Sequence, residues 1–311
     1  MYKKILVPLD GSELAEVALP YAEELAERLD AEINMIVVDD FNMNKAHGHT
    51  QIHPNKKVEN VQSHAEWYLG QLAVKAEKVK STTLIGHPAE AIVAHADMED
   101  IDLIVMATHG RSGIKRWALG SVADKVVRAT SRPVALIRAK DAHPDVRDKV
   151  TVNKILVPLD GSETSEAVIP YVIGLGSKLK AEVILLEVVK RIDHVYGSDM
   201  TVARVPYTDE EMEPLKRAAM DHLLKTENLH KGSGVELRTE VKIGDAAEEI
   251  IKFADEVNAD LVAMATHGRS GISRWNLGSV ASKVLHAGNT PLLLVRSTGD
   301  SNEYPSEYRL A

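Results

Sequence analysis

The sequence predicts an α/β protein built from two repeated, doubly wound domains, each with a five-stranded parallel sheet. Three observations predict this. Residues Lys4 to Glu13, KILVPLDGSE, recur unchanged at Lys154 to Glu163. A second block, Met106 to Val126, recurs at Met264 to Val284 with 18 of 21 positions the same. Within each copy, short apolar runs alternate with helical spacing, the pattern of a parallel sheet covered on both faces. The offset is 150 residues between the front blocks (154 − 4) and 158 between the back blocks (264 − 106), so copy two carries eight extra residues in its middle. So long a period marks a duplicated domain rather than a solenoid, and each copy is large enough for its own core. The reading places copy one at 1–140, a polar linker containing Pro144 at 141–151, copy two at 152–297 and a mobile, aperiodic tail at 298–311.

In copy one, Lys4–Leu9 is a short run rich in branched residues and reads as a strand, with Ser12 as the cap of the following helix. Apolar residues then fall at Leu14, Val17, Ala18, Tyr21, Ala22, Leu25 and Leu29. Pro20 inside that pattern, like Pro170 in copy two, predicts a kink or a displaced helix start. Glu23, Glu24, Glu27 and Arg28 read as the solvated face of this helix. Ile33–Val38 is the second strand, and a helix is expected from about Val58 to Val79. Thr82–Ile85 is the third strand, and Pro88 opens a helix to about Ala96. Asp102–Thr108 is the fourth strand, Ser121–Ala129 a helix and Val134–Arg138 the fifth strand. Copy two repeats the strands at Ile155–Leu159, Val183–Val188, Val235–Ile243, Asp260–Thr266 and Leu292–Arg296.

Composition narrows the function. With 46 acidic against 37 basic residues, the 311-residue chain has a formal charge of −9. Sequence-independent nucleic-acid binding needs a basic surface, so no nucleic-acid partner is expected. The absence of cysteine removes disulfides, thiolate metal sites and a cysteine nucleophile. No run approaches a membrane span and the start lacks a signal-peptide pattern, so no membrane partner and a cytoplasmic location are expected.

In a doubly wound sheet, ligands bind beyond the carboxyl ends of the strands where the strand order reverses. The loops after strands one and four are therefore the informative ones. Strand four runs into A-T-H-G-R-S-G-I-K-R-W-A-L-G-S-V, Ala107 to Val122. Gly110 and Gly113 permit close backbone approach and an anion-binding concavity. Gly120-Ser121 opens the next helix, where unpaired amides and the dipole favour phosphate and the serine hydroxyl can cap the helix or bond a phosphate oxygen. Arg111, Lys115 and Arg116 add positive charge. Copy two has Gly268, Gly271, Gly278, Ser279, Arg269 and Arg274, with Ser273 in place of the lysine. The loop occurs twice between a strand and a helix and is paired with Asp10 and Asp160, which raises phosphate binding above a plain turn. It is neither a P-loop nor a dinucleotide fingerprint.

These residues resemble a tandem universal stress protein of the ATP-binding branch, over roughly residues 2–140 and 152–297. The resemblance rests on V-P-L-D-G-S and on G-x-x-G, nine residues, G-S. It implies a Rossmann-like fold of the adenine-nucleotide alpha hydrolase type and an adenine nucleotide, ATP with Mg²⁺, in each copy. Where the signature begins with glycine, this chain has Ala107 and Ala265, a departure that bears on affinity rather than fold. By the same resemblance Pro8 and Asp10, with Pro158 and Asp160, line the nucleoside end. The backbone at Val38 and Val188 meets adenine, and Val122 and Val280 follow the phosphate-binding serines. Asp10 and Asp160 bond ribose hydroxyls or help hold magnesium; their bland alternative is a place in the helix cap. Single domains of the family pair about a two-fold axis, so the copies are expected to form an intramolecular pseudo-dimer, and two chains can pair again. Antiparallel pairing of Val134–Arg138 with Leu292–Arg296 would cover two sheet edges.

Other features carry less. His47, His49 and His53 cluster in the loop after strand two, but copy two lacks them and a solvated loop explains them better than metal. His109 and His267 either face phosphate or bond backbone. Trp117 and Trp275 either pack at an interface or cover the nucleotide. The Asp-Gly-Ser at Asp10–Ser12 has no partner histidine, so capping is preferred to a nucleophile. The expected function is a nucleotide-dependent regulator in stress response. The alternatives are a slow ATPase or nucleotidyl-transfer enzyme, and an interaction module with vestigial sites. No catalytic residue is assigned, and at most weak ATP hydrolysis is expected.

Overall fold

The computed structural model describes residues 2–39, 65–72, 74–109, 119–138, 150–198, 201–267 and 277–296. The chain divides into two compact units, residues 1–152 with 291–295, and residues 153–290 with 296–311.

In the first unit, β1 (Lys4–Leu9), β2 (Glu32–Asp39), β3 (Val79–Ile85), β4 (Leu103–Ala107) and β5 (Val134–Ile137) follow the order β3-β2-β1-β4-β5 and run parallel. Ile5, Leu6 and Val7 are fully buried, because the central strand has helices on both faces. The order reverses at β1, whose neighbours are β2 and β4. The last strand of the chain, Leu292–Val295, groups with this unit and pairs antiparallel to β5, Leu293 opposite Ala135. That is the pairing expected from the need to cover an open edge.

The proline in the first helix acts as a start signal. The chain forms α1 (Glu13–Glu16), breaks, and restarts as α2 (Leu19–Leu29) with Pro20 in its first turn. One residue of the expected solvated face is buried instead. Glu24 is 6% exposed, accepts from Arg28 Nη1 at 2.8 Å and faces the backbone amide of Val152 at 3.3 Å. The periodicity could not show this, because the partner backbone lies 128 residues away. The helix expected to reach Val79 does not: residues 65–71 are helical, and Val79 already begins β3. α3 (Pro88–Met98) and α4 (Ser121–Ala129) follow.

The second unit repeats this plan with β6 (Lys154–Leu159), β7 (Glu182–Val189), β10 (Leu237–Ile243) and β11 (Leu261–Ala265) in the order β10-β7-β6-β11. Its helices are α5 (Glu163–Glu166), α6 (Ile169–Leu179), α7 (Asp209–Leu229), α8 (Ala246–Glu256) and α9 (Ser279–Ala287). Between β7 and α7 lies an antiparallel hairpin, β8 (Asp193–Ser198) with β9 (Thr201–Pro206), that the sequence reading did not anticipate. It occupies the region that is longer in copy two. Thr208 and Glu211 then close a capping box that starts α7.

Candidate functional site

At the carboxyl end of β1 the chain must leave the sheet within two residues. Gly11, at φ 80°, makes that turn, and Ser12 caps α1 by accepting from the Ala15 amide at 3.2 Å. Asp10 Oδ1 accepts from both the Ser12 amide (3.0 Å) and the Ser12 hydroxyl (2.6 Å). The second unit repeats this. Gly161 has φ 75°, Ser162 caps α5, and Asp160 Oδ1 accepts from the Ser162 amide at 3.1 Å and hydroxyl at 2.5 Å. The serine is thus the cap, and the aspartate holds the serine in place. Each serine hydroxyl both donates and accepts within this turn, as a helix cap does.

The neighbouring strands supply the other wall. After β4, Thr108 Oγ1 lies 3.1 Å from His109 Nδ1, and after β11, Thr266 Oγ1 lies 3.1 Å from His267 Nδ1. The far nitrogen of His267, Nε2, is buried with no hydrogen-bond partner among the described residues. A buried polar atom left so is costly unless a ligand or water completes it.

The chain returns to this wall at Gly120 and Gly278. Their amides donate to the Thr108 and Thr266 carbonyls, each at 2.8 Å. A Cβ at Gly120 would sit 2.9 Å from the Thr108 oxygen, and one at Gly278 would sit 3.0 Å from the Thr266 oxygen. Glycine is required here by close approach, since both φ values are ordinary, −59° and −55°. Gly120 and Gly278 are also the helix caps, so Ser121 and Ser279 occupy the first helical position. Of the two roles open to the serine hydroxyl, the cap is not formed, and among the described residues no side chain caps either helix start. First-turn amides with no side-chain acceptor, on a helix nine residues long, present a partial positive charge.

These parts converge on a cavity in each unit. The first, about 120 Å³, is bordered by Pro8, Val38, Ala107, His109 and Gly120–Ala123. The second, about 520 Å³, is bordered by Pro158, Asp160, Val188, Ala265, His267 and Gly278–Ala281. Of the residues singled out from the sequence, Gly110, Arg111, Gly113, Lys115, Arg116 and Trp117 lie outside the described residues. So do Gly268, Arg269, Gly271, Ser273, Arg274, Trp275 and the three histidines of the loop after β2. Sequence reasoning missed the apolar floor, Leu9 with Met106 and Leu159 with Met264. It also missed the helix opposite, with Ile92 in one unit and Ile250 in the other. The signal was present in the helical spacing after strand three, but spacing does not say which sheet end a helix covers. Among the described residues no group of three His, Asp or Glu side chains could hold a metal ion. No described helix is long and apolar enough to cross a membrane.

Among the described residues, copy two has a charged cluster with no counterpart in copy one. His222 on α7 bonds Glu187 Oε2 through Nδ1 and Glu166 Oε1 through Nε2, both at 2.7 Å. Glu187 is buried on β7, next to Val188, where copy one has Val37. Burial alone would lower the His222 pKa, but its hydrogen bonds to two accepting carboxylates outweigh it and raise it above the ordinary histidine value. A histidine whose folded pKa is raised stabilises fully below its unfolded pKa of about 6.5, and that stability drains away as pH rises through the higher folded value. The His222→Gln variant is expected to lose about 1–2 kcal/mol at pH 6, Glu166 being partly exposed, and to lose less at pH 8.5. Urea denaturation at both pH values measures the difference; an equal loss at both contradicts the role of the charge.

Two doubly wound α/β units, each with a crevice at its strand-order reversal and an uncapped helix start beside it, define a tandem Rossmann-like protein. The chain belongs to the universal stress protein family, whose sequence profile matches residues 1–138 and 151–296. Universal stress protein MJ0577 of Methanocaldococcus jannaschii is 31% identical over 159 residues, which cover 46% of this chain and 98% of that protein. Universal stress protein Slr1230 of Synechocystis is 22% identical over 316 residues, covering 94% of this chain and all of that protein. A universal stress protein structure from Archaeoglobus fulgidus has a TM-score of 0.62 at 20% identity, covering 95% of this chain and 99% of the other, a likeness of fold. Family membership supports a role in stress response.

Proposed function

We propose that the chain is a nucleotide-dependent regulator in stress response that binds an adenine nucleotide at this crevice. The observation that carries the reading is the conjunction of an uncapped helix start and a buried, unpartnered His267 Nε2 at the rim of one cavity. Both call for a polar, anionic ligand. In this reading the amides of Ser121 and Val122, or of Ser279 and Val280, take phosphate oxygens. His109 or His267 meets the same phosphates, and the glycine loop with Arg111 or Arg269 completes their neutralisation. The backbone of Val38 or Val188 meets adenine along the sheet edge. Pro8, Pro158, Ala107 and Ala265 wall the nucleoside.

Asp10 and Asp160 bond the ribose or contribute one carboxylate to magnesium. The single carboxylate fits a magnesium ion that draws its other ligands from phosphate and water. Magnesium, where bound, neutralises phosphate charge. The protein side holds the nucleotide in place, and binding and release then act as the signal. Titrating nucleotide-stripped protein with ATP, with and without Mg²⁺, tests the reading. Saturable heat on injecting ATP is expected, and an isotherm indistinguishable from buffer defeats it.

A further inference from the structure

Near-identity of the loops predicts two sites of similar geometry, yet the two cavities differ about fourfold, about 120 Å³ against 520 Å³. We infer that the chain takes one adenine nucleotide, in the second domain, because only the second cavity is both large enough and charged. The inference rests on the nucleotide reading above and narrows it to one copy. Small-molecule sites occupy about 300–1,000 Å³, a range that contains the second cavity and excludes the first.

Particular substitutions produce the difference. Where the first cavity is bordered by Pro88 and Ala15, the second has Ala246 and Ser165. Alanine removes ring carbons from the wall, and serine adds a hydroxyl beside Asp160, whose amide it accepts from at 3.2 Å. Asp160 and Lys190 border the second cavity, whereas no carboxylate or ammonium group is among the described side chains bordering the first. The wall formed by α8 is also fixed at its start. Asp245 caps α8 by accepting from the Ala247 and Glu248 amides, while His87, at the same place in copy one, makes no side-chain cap. A carboxylate cap of this kind stabilises the first turn of the helix. It holds the mouth of the second cavity in place before any ligand arrives.

Ser273 in place of Lys115 favours the first copy, but by little. A single charge of this kind helps only a ligand that the cavity already admits. The smaller first cavity must widen before a nucleotide can seat, which disfavours it against the second.

Calorimetric titration of the nucleotide-stripped full chain with ATP is expected to give one equivalent. Labelling with 8-azido-ATP followed by peptide mapping is expected to mark peptides within 153–290 alone. In the Asp160→Ala variant the affinity is expected to fall about tenfold or more, with no tighter site left behind. Two equivalents, labelled peptides from the first domain, or a tight site surviving in Asp160→Ala overturns the inference while leaving the nucleotide reading in place. No binding of ATP at all defeats the nucleotide reading and this inference with it.

Discussion

Replacing Gly278 with valine is expected to abolish nucleotide binding and to destabilise the second domain by about 1–3 kcal/mol. The new Cβ would stand 3.0 Å from the Thr266 carbonyl oxygen, inside ordinary contact. That oxygen already accepts from the Gly278 amide at 2.8 Å, so strand end and helix start are held together. Relief requires one of them to move, and both border the cavity. If α9 retreats, its first-turn amides no longer point at a phosphate; if Thr266 moves, His267 moves with it. Either displacement removes more than one charge-assisted contact, each about 1.5–3 kcal/mol, so affinity falls at least about a hundredfold. Titration calorimetry alongside a denaturation curve reads both effects. An affinity like that of the parent chain contradicts the assigned site.

A second large effect is expected far from the cavity, at Asp260. Its Oδ2 accepts from the amides of Asn153 and Lys154, both at 2.9 Å, and so fixes where β6 begins. Asp102 does the same in the first unit, accepting from Lys3 and Lys4 at 2.7 and 3.1 Å. The lysine that opens each strand reaches a helix-end carbonyl, Lys4 to Glu99 and Lys154 to Val257. Asp260→Ala leaves two strand amides without their acceptor and is expected to lower stability by about 2–3 kcal/mol. Asp260→Asn keeps an oxygen acceptor and should recover part of that loss. Urea midpoints at constant slope measure it. A change below about 0.5 kcal/mol for Asp260→Ala contradicts the anchoring role.

These residues show what a sequence can and cannot say. The strands were legible because a buried parallel strand needs an uninterrupted apolar run, and Ile5–Val7 or Ile155–Val157 cannot serve any other purpose. The turn at Asp10–Ser12 was legible because a strand-to-helix turn needs glycine and then a cap, and the same letters occur twice. Gly120 and Gly278 were legible as a helix entry. That they are needed because a carbonyl lies within 3 Å of the missing Cβ was not, since the carbonyl belongs to another strand. The His222 cluster was hidden for the same reason: its carboxylates come from α5 and β7, 56 and 35 residues away. The overlong helix in copy one had a different cause. Charged residues around Glu77 and Lys78 keep helical spacing plausible where β3 is about to begin. The hairpin β8–β9 was missed because its short strands carry no apolar run, and the Gly197-Ser198 pair lies inside β8 rather than between the strands. The difference between the two cavities depends on Pro88 against Ala246, a pair that no motif marks.

The account turns on the first-turn amides of α9 holding a phosphate, and amide hydrogen exchange reads them directly. With saturating Mg·ATP, slowed exchange is predicted at Ser279, Val280 and Ala281 and at the turn from Asp160 to Ser162, with no comparable change in the outer helix α6. Exchange at Ser279–Ala281 that is the same with and without nucleotide, under conditions where binding is saturated, would contradict it.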